Sequence, residues 1–166
     1  MDMGSARDLP RVWRLTFSAF LVTTWIGVML GSGFVEHTTR LLPDGIAERY
    51  LGTEAMGVDI ESLPADREFQ SEKSVAELYA LTHTHIISLA VVFLAIAVIF
   101  LWSGALPRMR TVLAVEPFAS LVVTFGGMWA VRFVHPGFAW VIALSGTLMV
   151  AAITVMTYAS IRSMFK

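Results

Sequence analysis

Residues 86–102 read IISLAVVFLAIAVIFLW, a stretch with no charged residue and a single hydroxyl, that of Ser88. An α-helix rises about 1.5 Å per residue, so about 20 apolar residues are needed to cross the roughly 30 Å of hydrocarbon in a bilayer. Together with its flanks, over residues 80–103, the stretch reaches that length. It therefore predicts a membrane-spanning helix.

Three other apolar stretches predict three more spans, over residues 13–33, 111–132 and 138–160. The composition agrees, because 56% of the chain is hydrophobic and only 15% is charged, whereas soluble domains are about 25% charged. The short links between the last three spans make neighbouring helices antiparallel. We therefore expect an all-α integral membrane protein, a four-transmembrane-helix antiparallel bundle, with residues 1–166 as a single membrane domain.

Local signals mark where the predicted helices begin and end. Residues 74–77, Ser-Val-Ala-Glu, have the form of a capping box, so the second helix is expected to begin before the membrane does. Residues 135–137, His-Pro-Gly, predict a hard stop after the third span, because proline cannot continue a helix. A signal peptide is the alternative for the first span. Its apolar core is longer than is typical of one, so we expect a retained span.

Residues 35–78 form the only sizeable segment outside the predicted spans, and we expect them to fold as a cap. This segment holds ten acidic residues between Glu36 and Glu77. With the N-terminus inside, seven of the 12 Lys and Arg residues lie in inner segments and five in outer ones, which agrees with the positive-inside rule. We therefore expect a multi-pass protein of a bacterial inner membrane, with both termini cytoplasmic and a periplasmic cap.

Charge and residue types exclude several classes of function. The formal net charge is −1, with 12 Lys and Arg against 13 Asp and Glu, so the chain offers no basic face for nucleic acid. It contains no cysteine, which excludes disulfides, thiolate metal sites and iron–sulfur clusters. The sequence has no phosphate-binding glycine loop, metalloprotease motif or serine nucleophile motif. We therefore predict no catalytic residue.

All four histidines, His37, His83, His85 and His135, fall at the predicted outer interface. Neutral imidazole is a common metal ligand, and ionisable residues at membrane depth are candidate functional positions. His83 and His85 point about 200° apart on one helix, so only one of them can face the bundle interior. The second and third spans are adjacent and antiparallel, which makes His135 the best second ligand.

Two residues of the third span would fit a haem beside this pair. Gly127 lies eight residues before His135, near the same helix face, and would leave room for a flat macrocycle against the backbone. Arg132 could bind a propionate through a forked hydrogen bond. The predicted cofactor-binding residues are therefore His83, His85, His135, Arg132 and Gly127.

This arrangement resembles membrane-anchored b-type cytochromes, in which two helix histidines hold haem iron inside a four-helix bundle. The resemblance covers the spans and the histidines and does not extend to a sequence motif. It implies one haem b near the outer face, exchanging electrons with the quinone pool and a periplasmic electron carrier. No histidine lies at the predicted cytoplasmic side, so a second bis-histidine haem is not expected there.

A metal ion is the alternative occupant of the same region. His83 and His135, completed by His37 and Glu36, would offer imidazole and carboxylate ligands that suit zinc or copper. The sequence thus predicts either a haem site or a metal site at the outer interface.

Glu116 is the one carboxylate placed inside a predicted span. A buried carboxylate there would serve a proton path or contact a quinone headgroup. An interfacial anchor whose carboxylate reaches water is the alternative interpretation.

Two functions stay open from the sequence. The first is a membrane-embedded redox subunit that passes electrons between the quinone pool and a periplasmic partner, within a larger complex. The second is a cofactor-free structural or accessory subunit of a membrane protein complex. In both, the lipid bilayer and other membrane subunits are the expected partners.

Overall fold

The computed structural model describes residues 6–57 and 69–166, which contain five α-helices, short 3₁₀ turns and no strand. The helices are α1 (Arg11–Thr39), α2 (Pro43–Leu51), α3 (Val75–Ser103), α4 (Arg110–Phe133) and α5 (Ala139–Met164). All but α2 lie in segments long and apolar enough to cross a membrane, which confirms the predicted class with four transmembrane helices. Residues 58–68 of the predicted cap lie outside the described residues.

The predicted helix boundaries between α2 and α5 are confirmed. Ser74 Oγ accepts a hydrogen bond from the Glu77 N–H at 3.2 Å, and Glu77 Oε2 accepts one from the Ser74 N–H at 2.9 Å. These two bonds complete the capping box of α3. α4 ends at Phe133, and a 3₁₀ turn at Pro136–Phe138 leads directly into α5.

α3, α4 and α5 pack on one another around an apolar core. All three helices contribute large side chains that are almost completely buried, among them Phe93, Phe100, Leu121 and Met156. α4 approaches α5 closely at Gly127, where a Cβ atom would lie 2.9 Å from Ile142 Cγ1. These three helices therefore form the compact part of the bundle.

α1 lies antiparallel to α5 and is joined to it by two hydrogen bonds. Arg14 Nη1 donates to the Met164 carbonyl, and Trp25 Nε1 donates to Thr154 Oγ1, each at 3.1 Å. The start of α1 and the end of α5 thus lie at one end of the bundle, called here the terminal end. The opposite end, where α2 lies, is called the cap end.

α2 and the chain on either side of residues 58–68 cover the cap end. α2 forms a small apolar core with the adjoining ends of α4 and α5, which contains Ile46, Ala47, Val131 and Ala139. The fully buried Thr53 hydroxyl donates to Glu48 Oε1 at 2.8 Å and accepts from the Gln70 N–H at 2.9 Å. The cap is therefore tied down on both sides of residues 58–68 and closes one end of the bundle.

Candidate functional site

His83 and His85 lie on α3, near the cap end, and both are exposed. His85 Nδ1 lies 2.9 Å from the Leu81 carbonyl oxygen. A carbonyl can only accept, so Nδ1 carries a proton, and in the neutral ring this leaves the lone pair on Nε2, as in many metal-binding histidines. The His85 ring also lies 5.7 Å from the Phe125 ring of α4, measured between centroids. His85 therefore lies beside the α3–α4 junction.

His135 lies between α4 and α5, at the predicted helix stop, and is exposed. Its Nδ1 accepts a hydrogen bond from the Gly137 N–H at 2.9 Å and caps the turn that leads into α5. A neutral ring that accepts at Nδ1 carries its proton on Nε2. A metal at Nε2 would therefore require the ring to change tautomer and give up this cap.

Arg132, the predicted propionate partner, is held by the cap. Its guanidinium forms an ion pair with Glu72, and its Nε donates to the Lys73 carbonyl at 3.2 Å. The group also lies 5.1 Å from the centroid of the Phe133 ring. Arg132 thus fastens the end of α4 to the segment before α3, and a propionate would have to replace Glu72.

Gly127, the predicted platform for a macrocycle, is buried in the contact between α4 and α5. A Cβ there would lie 2.9 Å from Ile142 Cγ1 and 3.8 Å from Ile142 Cδ1. The space beside this glycine is occupied by α5.

The alternative metal ligands Glu36 and His37 lie in the last turn of α1, and both are exposed. Among the described residues, no three His, Asp or Glu side chains are grouped closely enough to hold a metal ion. The four predicted metal ligands, Glu36, His37, His83 and His135, share one end of the bundle but do not form such a group within the described ranges.

An aromatic cluster at the cap end was not predicted as a unit. Trp129 Nε1 donates to Thr82 Oγ1 at 3.0 Å and joins α4 to α3. The Trp129 ring lies 4.8 Å from that of Tyr79 and 5.6 Å from that of Phe133, between centroids. The signal that could have found it is the helical spacing of three to four residues between these positions on each helix. Such a cluster suits the membrane–water interface, where amphipathic rings are enriched.

Residues 40–166 match a family model, Aq_1264_TM, which is described as a transmembrane helical domain. The chain belongs to this family. The Aq_1264_TM match covers α2 to α5 and begins at Arg40, the residue that follows α1. No curated protein and no solved structure matches the chain.

Proposed function

We propose that this chain is an accessory subunit of a larger membrane complex, and that α1 is the helix through which it docks. The observation that carries the proposal is the difference in burial among the spans. Only 6% of the most apolar part of α1 is buried, against 33%, 44% and 28% for the spans containing α3, α4 and α5. α1 is therefore mostly free to meet lipid or another protein.

The exposed face of α1 combines large apolar side chains, among them Ile26, Leu30 and Phe34, with a row of small residues. On the helix wheel, Thr23, Gly27 and Gly31 lie on the side opposite to Trp25, which faces α5. A Cβ added at either glycine would have no atom of the described residues within 4 Å, so neither glycine packs against the described part of the chain.

Two unpacked glycines in a transmembrane helix favour a protein neighbour over lipid. Each glycine costs about 1 kcal/mol of helix propensity relative to alanine, and it offers little surface to acyl chains. Small residues four apart do permit a second helix to approach closely, and this contact offsets the cost. We infer that a helix of another subunit covers Thr23, Gly27 and Gly31.

The absence of cysteine from the sequence allows a direct test by crosslinking. Gly27→Cys and Gly31→Cys, each labelled with a thiol-reactive photo-crosslinker, should crosslink to a second polypeptide in native membranes on illumination. Gly126→Cys is the matched control, because it also lies in a transmembrane helix with nothing within 4 Å of a Cβ. Equal crosslinking from all three positions, or none from α1, would contradict the docking proposal.

Electron transfer is a second candidate function, and the tautomer of His85 favours it. Its Nδ1–H donates to the Leu81 carbonyl, which leaves an exposed Nε2 lone pair for a haem iron, or for copper or zinc. Because the described residues bring no group of three His, Asp or Glu side chains together, such a site would be completed by a ligand from a partner subunit. Electrons would then pass between the quinone pool and a periplasmic carrier.

A reduced-minus-oxidised spectrum of the complex purified in mild detergent tests this second candidate. Haem b would give Soret and α bands that disappear in His85→Ala and persist in His83→Ala, the matched control on the same helix. A featureless spectrum, together with no bound metal by elemental analysis, would remove the electron-transfer candidate and leave the docking proposal intact.

The orientation belongs to the same proposal. We infer an inner-membrane protein of a bacterium with the terminal end in the cytoplasm, because seven of the 12 basic residues lie in the segments at that end. A membrane-impermeant thiol reagent should therefore label Lys166→Cys only after the cells are opened. Labelling of that variant in intact cells would reverse the orientation.

A further inference from the structure

Glu116 lies inside α4, six residues after the first residue of the helix, Arg110. Six residues correspond to about 9 Å along the axis, so the carboxyl group lies within the membrane-spanning part, toward the terminal end. Ionisable side chains at such depth are rare and are usually functional. Neither the docking face of α1 nor the histidines involve this residue.

The two carboxyl oxygens of Glu116 have different surroundings. Oε1 accepts a hydrogen bond from the Ser120 hydroxyl, and Ser120 is only 6% exposed. Oε2 is buried and has no hydrogen-bond partner within residues 6–57 and 69–166. The salt bridges found among the described residues do not include Glu116. An ionised Glu116 would therefore be a charge without a counter-ion in the membrane, which is expensive.

Pro117 creates a second acceptor without a donor. It lies inside α4 and is buried. Proline has no N–H, so the carbonyl four residues earlier, that of Leu113, loses its partner in the helix. Leu113 and Glu116 are three residues apart and therefore neighbours on the helix surface. Glu116 Oε2 and the Leu113 carbonyl, which receives no hydrogen bond from residue 117, thus lie one turn apart along α4.

The membrane-spanning parts of the four long helices contain few charged residues that could stabilise a carboxylate. α3 contains no titratable residue between His85 and its end at Ser103, and α1 contains none after Arg14 until Glu36. In α5, the titratable residue before Arg162 is Tyr158, which is 65% exposed. Within α4 the closest cation along the chain is Arg110, which is exposed.

We propose that Glu116 is a membrane-embedded proton-binding site, whose proton is carried on Oε2 and donated to the Leu113 carbonyl. One proton satisfies both acceptors and removes the uncompensated charge at the same time. Ser120 holds the other oxygen and so fixes the orientation of the carboxyl group. Water at the terminal end supplies and receives the proton.

A hydrophobic carbodiimide tests the proposal, because it reacts with protonated carboxyl groups in membranes. The carboxyl oxygen bonds to the central carbon of the reagent and the proton moves to a nitrogen, so the adduct keeps the whole mass of both molecules. With the full-length protein in liposomes, we expect one adduct that peptide mapping places on Glu116. Glu116→Gln should lose the adduct while still accepting the Ser120 hydrogen bond, so the bundle should unfold at the same temperature.

The pH and cation dependence of labelling decides what Glu116 binds. Labelling should fall at high pH, where a proton-binding site is emptied. Pro117→Leu restores an N–H for the Leu113 carbonyl and so takes away the proposed acceptor of the Glu116 proton, so this variant should form less adduct than the wild type under the same conditions. Wild-type protein that forms no adduct, or that is protected by Na⁺ at constant ionic strength, would overturn the proposal in favour of an ion pair or a cation site.

An infrared measurement gives a readout that does not depend on the reagent. A protonated Glu116 should contribute a carboxylic acid C=O band that is missing from Glu116→Gln and unchanged in Glu77→Gln, the control carboxylate at the exposed start of α3. Identical spectra for the wild type and Glu116→Gln at low pH would overturn the proposal, even if the carbodiimide formed an adduct.

Discussion

α5 makes two long contacts that differ in kind, one with α4 and one with α1. Against α4, Gly127 receives Ile142 at close range, and Thr124 Oγ1 lies 2.7 Å from Ser145 Oγ. Against α1, two hydrogen bonds are separated by a stretch that contains unpartnered polar atoms. The first contact is closely packed and the second is held at a few points.

The polar atoms in the α1–α5 contact show how incomplete it is. Between the Trp25 and Arg14 hydrogen bonds, Ser18 Oγ and Thr157 Oγ1 are buried without a partner, as is Arg14 Nε. Each buried unpaired group costs about 1–3 kcal/mol. Hydroxyls elsewhere in the spans, such as those of Ser32 and Ser160, donate to the carbonyl four residues earlier. The family match begins just after α1, so the closely packed helices are also the ones shared with the family.

The largest effect is expected at the α4–α5 contact. Gly127→Leu would force a side chain into the place of Ile142, and overpacking of this kind costs about 1–3 kcal/mol. Its neighbour Gly126 has nothing within 4 Å of a Cβ, so Gly126→Leu should leave stability unchanged or raise it by up to about 1 kcal/mol through helix propensity. Thermal unfolding in detergent, followed by circular dichroism, measures both. Equal losses in the two variants would show that α4 and α5 are not closely packed here.

Alkaline pH should weaken the cap more than it weakens the α1–α5 contact. Burial raises the pKa of Tyr50 from 10.0 to about 12, partly offset by the nearby Arg49. The folded protein therefore holds the phenol proton more tightly, so this contribution to stability is complete below pH 10 and disappears as the pH rises to 12. The expected loss is on the order of 2 kcal/mol.

Tyr50→Phe is the control for this pH effect. This variant should not show the loss of stability between pH 10 and 12 that ionisation of Tyr50 causes in the wild type. In the wild type, part of the phenolate absorbance should also appear only at higher pH than in Tyr50→Phe. The same alkaline loss in Tyr50→Phe would assign the effect to another group.

A smaller loss of stability is expected at the hydrogen bond that joins α1 to α5 through Trp25. Trp25→Phe removes the hydrogen bond to Thr154 but keeps an aromatic ring, and a single hydrogen bond contributes about 1 kcal/mol. Thermal unfolding should show this loss in the wild-type background and not in Thr154→Val, where the acceptor is already gone. Independent, additive losses in the double variant would mean that the two side chains do not interact.

The sequence was sufficient for the helices and insufficient for the contacts between them. Continuous apolar stretches predict the spans directly, because length and hydropathy determine which helices can cross a bilayer. The Ser74 capping box predicts where α3 begins. Gly127 was predicted to leave room for a macrocycle, and in the structure Ile142 lies beside it. The register between α4 and α5 determines which side chain lies against Gly127. The pattern of residues in one helix does not predict that register.

The histidines illustrate the same limit. Their common position at one end of the bundle follows from the order of the spans, so the sequence could predict it. The ring of His85 is oriented by the Leu81 carbonyl and the Phe125 ring, and the ring of His135 by the Gly137 N–H. Rotamers and tautomers depend on these neighbours, so a sequence-based choice of ligands stays a prediction.

The smallest effect, and one of opposite sign, is expected within the α1–α5 contact. Thr157 is 7% exposed and its hydroxyl has no partner, so Thr157→Val keeps the shape and removes the unpaired group. Stability should stay the same or rise by up to about 1 kcal/mol, because replacing an unsatisfied hydroxyl by a methyl group relieves its desolvation cost. A loss of similar size in thermal unfolding would mean that the hydroxyl is satisfied in the membrane. In that case the α1–α5 contact would contain one unpaired polar group fewer, with Ser18 Oγ and Arg14 Nε remaining.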